Sequence, residues 1–425
     1  MLIEKTINKI GYQNLSFYTE RIFTAGRNKR IYTKSDFGYP YLSNSDVISQ
    51  YPFLNCNFNS KKYGYDKNAL LHEGIIVTGR VGAIGQTAYI TREFEEKMSM
   101  GSDNIIRIVS KDKNISGFLY AYMASKIGKT FLWKHATGGV QPYINEEMVG
   151  SIPIPFFPEN KQLEIHNLIV ESAELRVEAN LHLNTAITLF ESSIGTTAVT
   201  MSNQTDIVRF AKVKSFLSRF DGQYQIITKK LDEERTKDYP YIKIEYLAKK
   251  IFVGNRGKRN YVESGLPFLS SSDMMLFNPK RYAKQISTRT PNIDSLLVNR
   301  NDILISRSGT VGNVVLVGDD LNNCTVSEHA LRLVIDENKI APQYVFCFLK
   351  TKQGKTYMEA SSFGSVIITL NEELIGNIEV PIINDIDKDA IVKLINDYQK
   401  KMDASTLKEN QAIQLVENEI EQWQH

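Results

Sequence analysis

Residues 144–155 read INEEMVGSIPIP, and residues 370–381 read LNEELIGNIEVP. Each stretch joins a polar Asn-Glu-Glu turn to a short apolar run that ends at a proline. Because proline cannot donate a hydrogen bond to a sheet, each run predicts a strand that stops there and leads outward. A long proline-free segment follows each run, from Glu159 and from Asp385. The recurrence indicates that the chain contains two copies of one unit.

Four further blocks of similar sequence align in the same order, at an offset near 227 residues. They are residues 22–46, 74–86, 104–109 and 120–130 in the first copy and residues 251–273, 302–313, 329–334 and 346–356 in the second. Ordered blocks at an almost constant offset are the signature of a repeat. The 425-residue length also exceeds one ordinary core. We therefore predict a duplication, with copies over residues 1–200 and 201–425.

Each copy is predicted to contain a mixed domain of the α+β class. Short β-branched runs indicate buried strands. They are Ile75–Val77, Thr87–Ile90, Ile105–Val109 and Ile152–Pro155 in the first copy and Ile303–Ile305, Val314–Val317, Leu331–Ile335 and Ile378–Pro381 in the second. Aromatic residues at helical spacing predict a helix at Phe118–Lys129 and another at Gln343–Lys355.

A long helix is predicted after each proline-terminated strand, because apolar residues recur there at spacings of three and four. The stripes include Ile165, Leu168, Leu175 and Leu189 in the first copy and Ile391, Leu394, Tyr398 and Leu415 in the second. About 35 residues at 1.5 Å each span about 50 Å. A helix of that length with one apolar stripe needs a partner, so we predict that the two helices form an antiparallel coiled coil, with Ser172 and His182 interrupting its heptads.

These elements predict four segments along the chain. The two mixed domains occupy residues 1–157 and 201–383, and the two long helices occupy residues 158–200 and 384–425. The net charge of +3 is divided unevenly among them. Residues 159–191 hold six acidic and two basic side chains, and residues 385–421 hold nine acidic and five basic ones, so each helix carries −4. The rest of the chain carries +11, which suits an anionic partner.

Composition argues against several classes of protein. Apolar residues make up 42% of the chain and charged residues 23%, which is typical of a folded globular protein. No apolar run approaches the ~20 residues of a membrane span, and the N-terminus lacks the pattern of a signal peptide. The three cysteines form no C-x-x-C pair, and the six histidines do not cluster. We therefore expect a reduced, cytoplasmic setting and no metal site.

No catalytic constellation is found in the sequence. Residues 128–130 and 354–356 both read GKT, like the end of a phosphate-binding P-loop, but Met123 and Leu349 replace the first glycine of that motif. The Asn/Asp-Pro-Pro-Tyr/Phe run of base-amino methyltransferases is absent, and Glu95-Glu96-Lys97 lacks the Pro-Asp of a nuclease motif. We predict that this chain has no active site and holds no cofactor.

Two basic clusters are the main candidates for a binding surface. Each places three cations just before a tyrosine: Arg27, Lys29, Arg30 and Tyr32 in the first copy and Arg256, Lys258, Arg259 and Tyr261 in the second. Lysine and arginine neutralise phosphates, and arginine pairs with guanine. A solvated basic loop is the alternative for either cluster alone. Recurrence at the same place in two diverged copies favours DNA contact, mainly with phosphates.

Two glycine-rich turns are weaker candidates. Residues 78–86 include Arg80 and Gln86, and residues 306–313 include Arg307, Ser308 and Asn313. Glycine allows close backbone approach, so such a turn can cradle a phosphate, with the arginine and amide side chains near bases. A plain turn between strands fits equally well. Ser43 and Ser270 either contact DNA or cap a turn, and the sequence slightly favours the turn.

Together these blocks resemble the specificity (S) subunit of type I restriction-modification enzymes. The resemblance covers essentially the whole chain and lies mainly in the paired segments that end at Pro155 and Pro381 and in the paired glycine-rich turns. Residues Arg219–Tyr224 resemble the segment that leads into the family's second domain. Tyr12–Tyr18 is only a vague counterpart of that segment in the first copy, and the two glycine-rich turns differ by one residue.

The resemblance implies two target-recognition domains on a pair of antiparallel helices. Each domain would read one half of a split site on double-stranded DNA. The helices would set the spacer and dock two methyltransferase (M) subunits, and two restriction-motor (R) subunits would complete the assembly. S-adenosylmethionine, ATP and Mg²⁺ would belong to those partners. The specificity protein of a related combined restriction-modification enzyme and a duplicated protein-interaction scaffold are the alternatives.

Overall fold

The computed structural model describes residues 2–27, 29–54, 56–82, 84–139, 142–195, 227, 231, 233, 238–308, 311–363 and 369–423. The segment Arg219–Tyr224 lies outside these residues. The chain divides into two compact units. Unit 1 comprises Met1–Glu178 and Ala404–His425, and unit 2 comprises Ala179–Asp403. The long helices, Glu159–Ser193 and Asp385–Gln422, therefore each contribute one segment to each unit.

Unit 1 contains two four-stranded sheets. The main sheet has the strand order Thr19–Thr24, Ile105–Ser110, Ile76–Gly79 and Thr87–Tyr89, and every neighbouring pair is antiparallel. Its inner strands are rich in isoleucine and valine and are buried, as expected for strands covered on both faces. The second sheet has the order Tyr32–Thr33, Asn57–Ser60, Gly38–Leu42 and Met100–Gly101, and its last pair is parallel.

Unit 2 repeats both sheets strand for strand. Its main sheet has the order Ala248–Val253, Ala330–Ile335, Ile303–Ser306 and Val314–Leu316. Its second sheet has the order Tyr261–Val262, Lys284–Ile286, Leu266–Leu269 and Thr325–Val326, again with a parallel last pair. The predicted duplication and the mixed α+β class are confirmed.

In each unit a two-stranded ribbon pairs a short strand that precedes the main sheet with the proline-terminated strand. Tyr12–Asn14 pairs with Pro153–Pro155, and Tyr241–Lys243 pairs with Glu379–Pro381. A short helix follows the first strand of each ribbon, at Leu15–Tyr18 and Ile244–Leu247. In its strand pairing and short helix, Tyr12–Tyr18 corresponds to residues 241–247, and the resemblance noted for Arg219–Tyr224 falls outside the described residues.

Short helices cover the sheets of both units. Further α-helices with described bounds are Leu2–Ile10, Asn44–Val47, Arg92–Glu96, Ser116–Ala124, Lys126–His135 and Glu146–Gly150 in unit 1 and Pro342–Lys350, Lys352–Ser361 and Glu372–Gly376 in unit 2. The 3₁₀ helices are Ser35–Phe37, Lys67–Ala69, Lys113–Ile115, Asp273–Met275, Pro279–Tyr282 and Ile293–Ser295. The core of unit 1 forms where Ser116–His135 and the long helices pack on the main sheet.

The single helix predicted at Phe118–Lys129 is in fact two helices, and the same holds for Gln343–Lys355. The breaks fall at Ser125 and Thr351, whose extended backbones end one helix and whose hydroxyls accept from the amides of Gly128 and Gly354, at 3.1 Å each, to begin the next. A Cβ on either glycine would lie 2.2 Å from a carbonyl oxygen of the preceding helix. The GKT sequence is thus a helix-to-helix corner, which explains it without a nucleotide.

The long-helix segments of unit 1 run antiparallel, share one apolar cluster and also meet through polar groups. Lys408 pairs with Glu171, and the Phe157 and Trp423 rings lie 4.8 Å apart. Nearer the middle of the helices, the hydroxyls of Ser172 and Ser405 each donate to the other residue's carbonyl at 2.8 Å. Beside them the buried Glu409 carboxylate accepts from Arg176 at 2.9 Å and from the hydroxyl of Tyr120. We call Tyr120, Ser172, Arg176, Ser405 and Glu409 the polar seam.

The matching place in unit 2 is apolar. At an offset of 226, the equivalents of the polar seam are Phe346, Tyr398, Met402, Ala179 and Leu183. The Phe346 and Tyr398 rings are stacked 6.2 Å apart, and all five residues are buried. The Ser193 hydroxyl donates to Asp387 at 3.0 Å, where the end of one helix meets the start of the other.

Candidate nucleic-acid interface

In unit 1 the basic cluster forms the loop that leads from the main sheet to the second sheet. Asp103 braces this loop through two ion pairs: its carboxylate lies 3.5 Å from Arg27 Nε and 2.8 Å from Arg30 Nη2. Lys29 is exposed, and so is 83% of the Arg27 side chain. The loop carries three cations against the one carboxylate of Asp103, so this group keeps a net charge of +2, with Arg27 and Lys29 exposed to solvent.

Unit 2 builds the same loop around Glu328, which occupies the place of Asp103. Its carboxylate lies 3.6 Å from Arg256 Nε and 3.4 Å from Arg259 Nη2. The Arg256 side chain is 78% exposed and Lys258 is exposed, but only 9% of the Arg259 side chain is. Arg259 also donates to the carbonyls of Gly257 and Asn255. Arg256 and Lys258 therefore face solvent, whereas Arg259 braces the loop.

The predicted tyrosines belong to an aromatic frame on the second sheet. In unit 1 the Tyr32 and Tyr41 rings lie 6.2 Å apart, edge to face, and the guanidinium of Arg30 lies 5.5 Å from the Tyr41 ring. In unit 2 the Tyr261 and Phe268 rings lie 6.3 Å apart, and Arg259 lies 5.4 Å from the Phe268 ring. Such contacts hold the cation over the ring. Tyr32 and Tyr261 remain about half exposed beside the basic loops.

The structure brings each glycine-rich turn next to its basic loop. The amide of Arg80 donates to the carbonyl of Asn104 at 2.9 Å, and Asn104 directly follows the carboxylate residue Asp103. In unit 2 the amide of Arg307 donates to the carbonyl of His329 at 3.0 Å, and His329 follows Glu328. Two features far apart in sequence thus form one surface in each unit.

The other predicted residues of these turns are half-buried. The carbonyl of Gln86 accepts from Thr78 Oγ1 at 3.1 Å, and the carbonyl of Asn313 accepts from the Ser306 amide at 2.8 Å, so both residues close their turns through the backbone. The Ser308 hydroxyl lies 3.4 Å from His329 Nδ1. Burial leaves the side chains of Arg80, Gln86, Arg307 and Asn313 a smaller exposed area than that of Arg27 or Arg256.

Ser43 and Ser270 serve their own turns. The backbone amide and the hydroxyl of Ser43 donate to the Asp46 carboxylate at 2.7 and 2.6 Å, in a capping box that begins Asn44–Val47. Ser270 makes the same pair of contacts with Asp273, at 2.9 and 2.7 Å. The turn interpretation accounts for the paired serines.

A bridged pair of residues beside each glycine-rich turn was not predicted. In unit 1 Thr137 and Tyr143 form a bridge, Tyr143 bridges to Val81, and the Ile144 amide donates to the Arg80 carbonyl at 2.9 Å. Tyr143 is 44% exposed. The glycine that recurs in this segment, Gly138 in unit 1, indicates a shared structural element. The local sequence therefore did not predict an exposed aromatic ring at this place.

In unit 2 the exposed ring belongs to the other member of the bridged pair. Phe363 and Thr369 form the bridge there, Ser308 also bridges to Thr369, and the Leu370 amide donates to the Arg307 carbonyl at 2.8 Å. Phe363, 44% exposed, is equivalent to Thr137, and Thr369 is equivalent to Tyr143. The two surfaces therefore have the same backbone pairing, but the exposed aromatic ring is at a different position in each.

Two arginines that align in the repeat are structural. Arg107 and Arg332 are fully buried under the surface and donate to main-chain carbonyls, including those of Ala69 and Gly101 in unit 1 and Leu297 in unit 2. Burial lowers the pKa of both guanidinium groups to about 10. Both still carry a charge at neutral pH, but neither has the exposed surface that contact with DNA requires.

The helix residues predicted to dock partners divide into two groups. Ile165, Ile391 and Tyr398 are at most 2% exposed, because they pack inside their own units, and a side chain without exposed surface offers none to a partner. Half-buried positions are Leu168, Leu175, Leu189, Leu394 and Leu415. The most exposed apolar side chains on the long helices are instead Leu163, Leu181, Ile386 and Leu407.

Other kinds of site are absent from the described part of the chain. Within it, no group of three or more His, Cys, Asp or Glu side chains could hold a metal ion. No helix of the described residues is long and apolar enough to cross a membrane.

Comparison with known proteins matches the duplicated architecture. The family model for the type I restriction modification DNA specificity domain matches twice, over residues 20–170 and 221–415. The chain is similar to the crystal structure of a type I restriction-modification S subunit from M. genitalium, with 13% identity over 96% of this chain and 95% of that one and a TM-score of 0.39. It is also similar to the HsdS subunit from Thermoanaerobacter tengcongensis, with 12% identity over 97% and 96% and a TM-score of 0.30.

A search of curated proteins gives no match. The family model, however, covers well over half of the chain, and its two matches fall on the two copies of the repeat. This protein belongs to the family of type I restriction-modification DNA specificity proteins.

Proposed function

We propose that this chain is the non-catalytic DNA-specificity subunit of a type I restriction-modification enzyme, and that each unit reads one half of a two-part site on double-stranded DNA. The observation that carries the proposal is the paired surface. In both units, a solvent-facing basic loop, a carboxylate that braces it and a glycine-rich turn occupy the same places. Membership of the family supplies the class of ligand.

Within this proposal, Arg27, Lys29, Arg256 and Lys258 neutralise phosphates, since their side chains are exposed and positive. Arg30 and Arg259 have a different role, because each is committed to a carboxylate and an aromatic ring. Phosphate contacts set position and register and carry no sequence information. Base reading therefore requires other side chains on the same surfaces.

The long helices suit protein partners better than DNA. Each carries a net charge of −4, which repels phosphates. Their exposed leucines and Ile386 offer apolar contacts for two methyltransferase subunits, and two restriction-motor subunits would complete the enzyme. S-adenosylmethionine, ATP and Mg²⁺ would be held by those partners, so this chain chooses the site at which the partners' chemistry takes place.

The test measures how tightly the chain, assembled with its methyltransferase, binds a long random-sequence DNA duplex. Fluorescence anisotropy is the readout of binding. Charge reversal at Arg27, Lys29, Arg256 and Lys258 should weaken binding and lower the slope of log K against log[salt] by about 0.9 for each phosphate that is no longer neutralised. The control reverses Lys113 and Lys352, two exposed lysines that lie outside the basic loops and the long helices. Equal effects of the two sets, or none from the loop set, would contradict the assignment. An assembly that does not bind DNA at all would favour a protein-interaction scaffold.

A further inference from the structure

The second sheets of the two units have the same register but different side chains on their middle strands. In unit 1 the middle strand is Asn57–Ser60: Asn57 lies opposite Tyr41, and Asn59 lies opposite both Tyr39 and Tyr32. Directly opposed residues share one face of a sheet, and so do alternate residues of a strand. Asn57 and Asn59 are therefore on the face that carries the aromatic frame and Arg30.

The same register holds in unit 2. Lys284 lies opposite Phe268, and Ile286 lies opposite both Leu266 and Tyr261. Asn57 and Lys284 are thus equivalent positions, each beside the ring over which the bracing arginine lies. The arginine-to-ring distances of 5.5 Å and 5.4 Å show that the frame around these positions is nearly identical.

The inner position of each middle strand is committed to the fold. Asn59 is 2% exposed, and its side chain accepts from the Ile31 amide and donates to the Gly64 carbonyl, both at 2.8 Å. Ile286 is fully buried. These two residues hold the sheet in different ways, and neither offers polar atoms to a ligand.

The outer position faces solvent in both units. Asn57 and Lys284 are exposed, and Lys284 Nζ lies 5.4 Å from the ring of Tyr261. A shared frame with a different polar side chain at one exposed position is what two readers of different sequences require. Asparagine, which donates and accepts in one plane, matches the N6 and N7 atoms of adenine, whereas lysine donates to O6 and N7 of guanine.

We propose that Asn57 and Lys284 are specificity-determining residues, with Asn57 favouring adenine in the half-site of unit 1 and Lys284 favouring guanine in the half-site of unit 2. The inference rests on the proposed function, and it adds which strand reads bases and which base each residue favours. The basic loops position each second sheet on the phosphates, and its middle strand then contacts the base edges.

The test exchanges the two residues in the full chain, co-expressed with its methyltransferase in a host that lacks both, and determines the methylated motif by long-read sequencing. Asn57→Lys should change or relax a base in one half of the motif only, and Lys284→Asn should do so in the other half. In competition binding with the assembled enzyme, Asn57→Ala and Lys284→Ala should each reduce discrimination at that base roughly tenfold to hundredfold. The alanine variants keep the test decisive if an exchanged variant is inactive.

Matched controls make the same changes of charge on exposed residues outside the second sheets. Asn8→Lys on the first helix and Lys352→Asn on the helix Lys352–Ser361 should leave both halves of the motif unchanged. If the wild-type enzyme shows a two-part motif and the substitutions at 57 and 284 leave the motif and the discrimination intact, this inference is wrong while the proposed function stands. A substitution that alters both halves would also overturn it. If the wild-type enzyme gives no two-part motif, the proposed function itself fails.

Discussion

The segments of the long helices pack differently in unit 1 and in unit 2, although the units have the same topology. Unit 1 joins its segments through a polar seam that includes Arg176 and Glu409, whereas the equivalent residues of unit 2, Met402 and Leu183, are apolar. The shared strand pattern and the shared glycine corners are therefore enough to specify one fold. The chemistry of the interior is free to diverge, provided that each buried polar group keeps a partner.

The largest expected effect comes from breaking the polar seam on one side. Glu409→Leu places the unit 2 residue in unit 1 and removes the carboxylate partner of Tyr120, which is buried, and of Arg176, whose side chain is 11% exposed. We expect the free energy of unfolding to fall by about 3–5 kcal/mol, the usual cost of a buried charge that loses its partner. Urea denaturation of the full chain measures it.

The double variant Arg176→Met and Glu409→Leu is the matched control. Because it also removes the charge that would be left over, it should be more stable than Glu409→Leu alone. A decrease of less than about 1 kcal/mol in the single variant, the size typical of an exposed ion pair, would show that the seam is not desolvated as described.

A second prediction concerns a feature that both units share. Gly128→Ala and Gly354→Ala should each destabilise the protein by about 1–3 kcal/mol, because the new Cβ meets the backbone of the preceding helix at 2.2 Å and overpacks the corner. Gly139→Ala is the control, since a Cβ there contacts nothing within 4 Å. Thermal unfolding measures both losses of stability. If the two corner variants lost very different amounts, the corners of the two units would not be equivalent.

A third prediction separates two roles within one basic loop. Arg259→Ala should lower the free energy of unfolding by about 1–2 kcal/mol, because this largely buried side chain braces the loop through charged hydrogen bonds. Arg256→Ala should leave stability within about 0.5 kcal/mol, since the side chain is 78% exposed, but should reduce the salt dependence of DNA binding. Chemical denaturation and salt titration of both variants check this. A less stable Arg256→Ala variant with an unchanged salt slope would reverse the assigned roles.

The last prediction concerns pH and a pair of carboxylates in unit 2. There the amides of Asp319 and Asp320 donate to the Asp403 carboxylate, at 3.0 and 3.3 Å. Burial, with the nearby charge of Asp403, raises the pKa of Asp320. In unit 1 the residue that corresponds to Asp319 is Arg92, which instead pairs with Glu174 at 3.0 Å, with both side chains about 40% exposed.

Between the ordinary aspartate pKa of about 4 and the raised pKa of Asp320, the folded protein therefore binds more protons than the unfolded chain. Stability should fall as the pH rises through that window, by about 1.4 kcal/mol for each pH unit. Asp320→Asn should remove this dependence and stabilise the protein at neutral pH. Unfolding measured across the window checks it, and a variant with the same pH profile as the wild type would contradict it.

Much of the main sheet could be predicted from the sequence, because strands such as Ile76–Gly79 and Ile303–Ser306 are apolar β-branched runs before a glycine-rich turn. The second sheet could not be predicted as fully. Its strand Asn57–Ser60 is short and polar, and only the pairing with its neighbours makes it a strand. The break between helices at Ser125 was missed because the helical spacing of aromatic residues continues across it. What begins the second helix is the Ser125 hydroxyl, which caps its N-terminus.

The candidate site divides in the same way. The basic loops were predicted, because charge clusters are local in sequence. Their braces, Asp103 and Glu328, were not, because an ion pair across about 70 residues leaves no local pattern. The inward turn of Arg259 was missed as well, since Arg256 has the same residue type and only the folded environment decides which of the two is buried.

The most direct test of the DNA-specificity role is to sequence the methylated bases of a host that expresses the methyltransferase with this chain and of a host that expresses the methyltransferase alone. We predict one motif of two separated halves that is methylated only when this chain is present. An unbroken motif, or methylation that does not depend on this chain, would contradict the claim that its two units read the two halves of one DNA site.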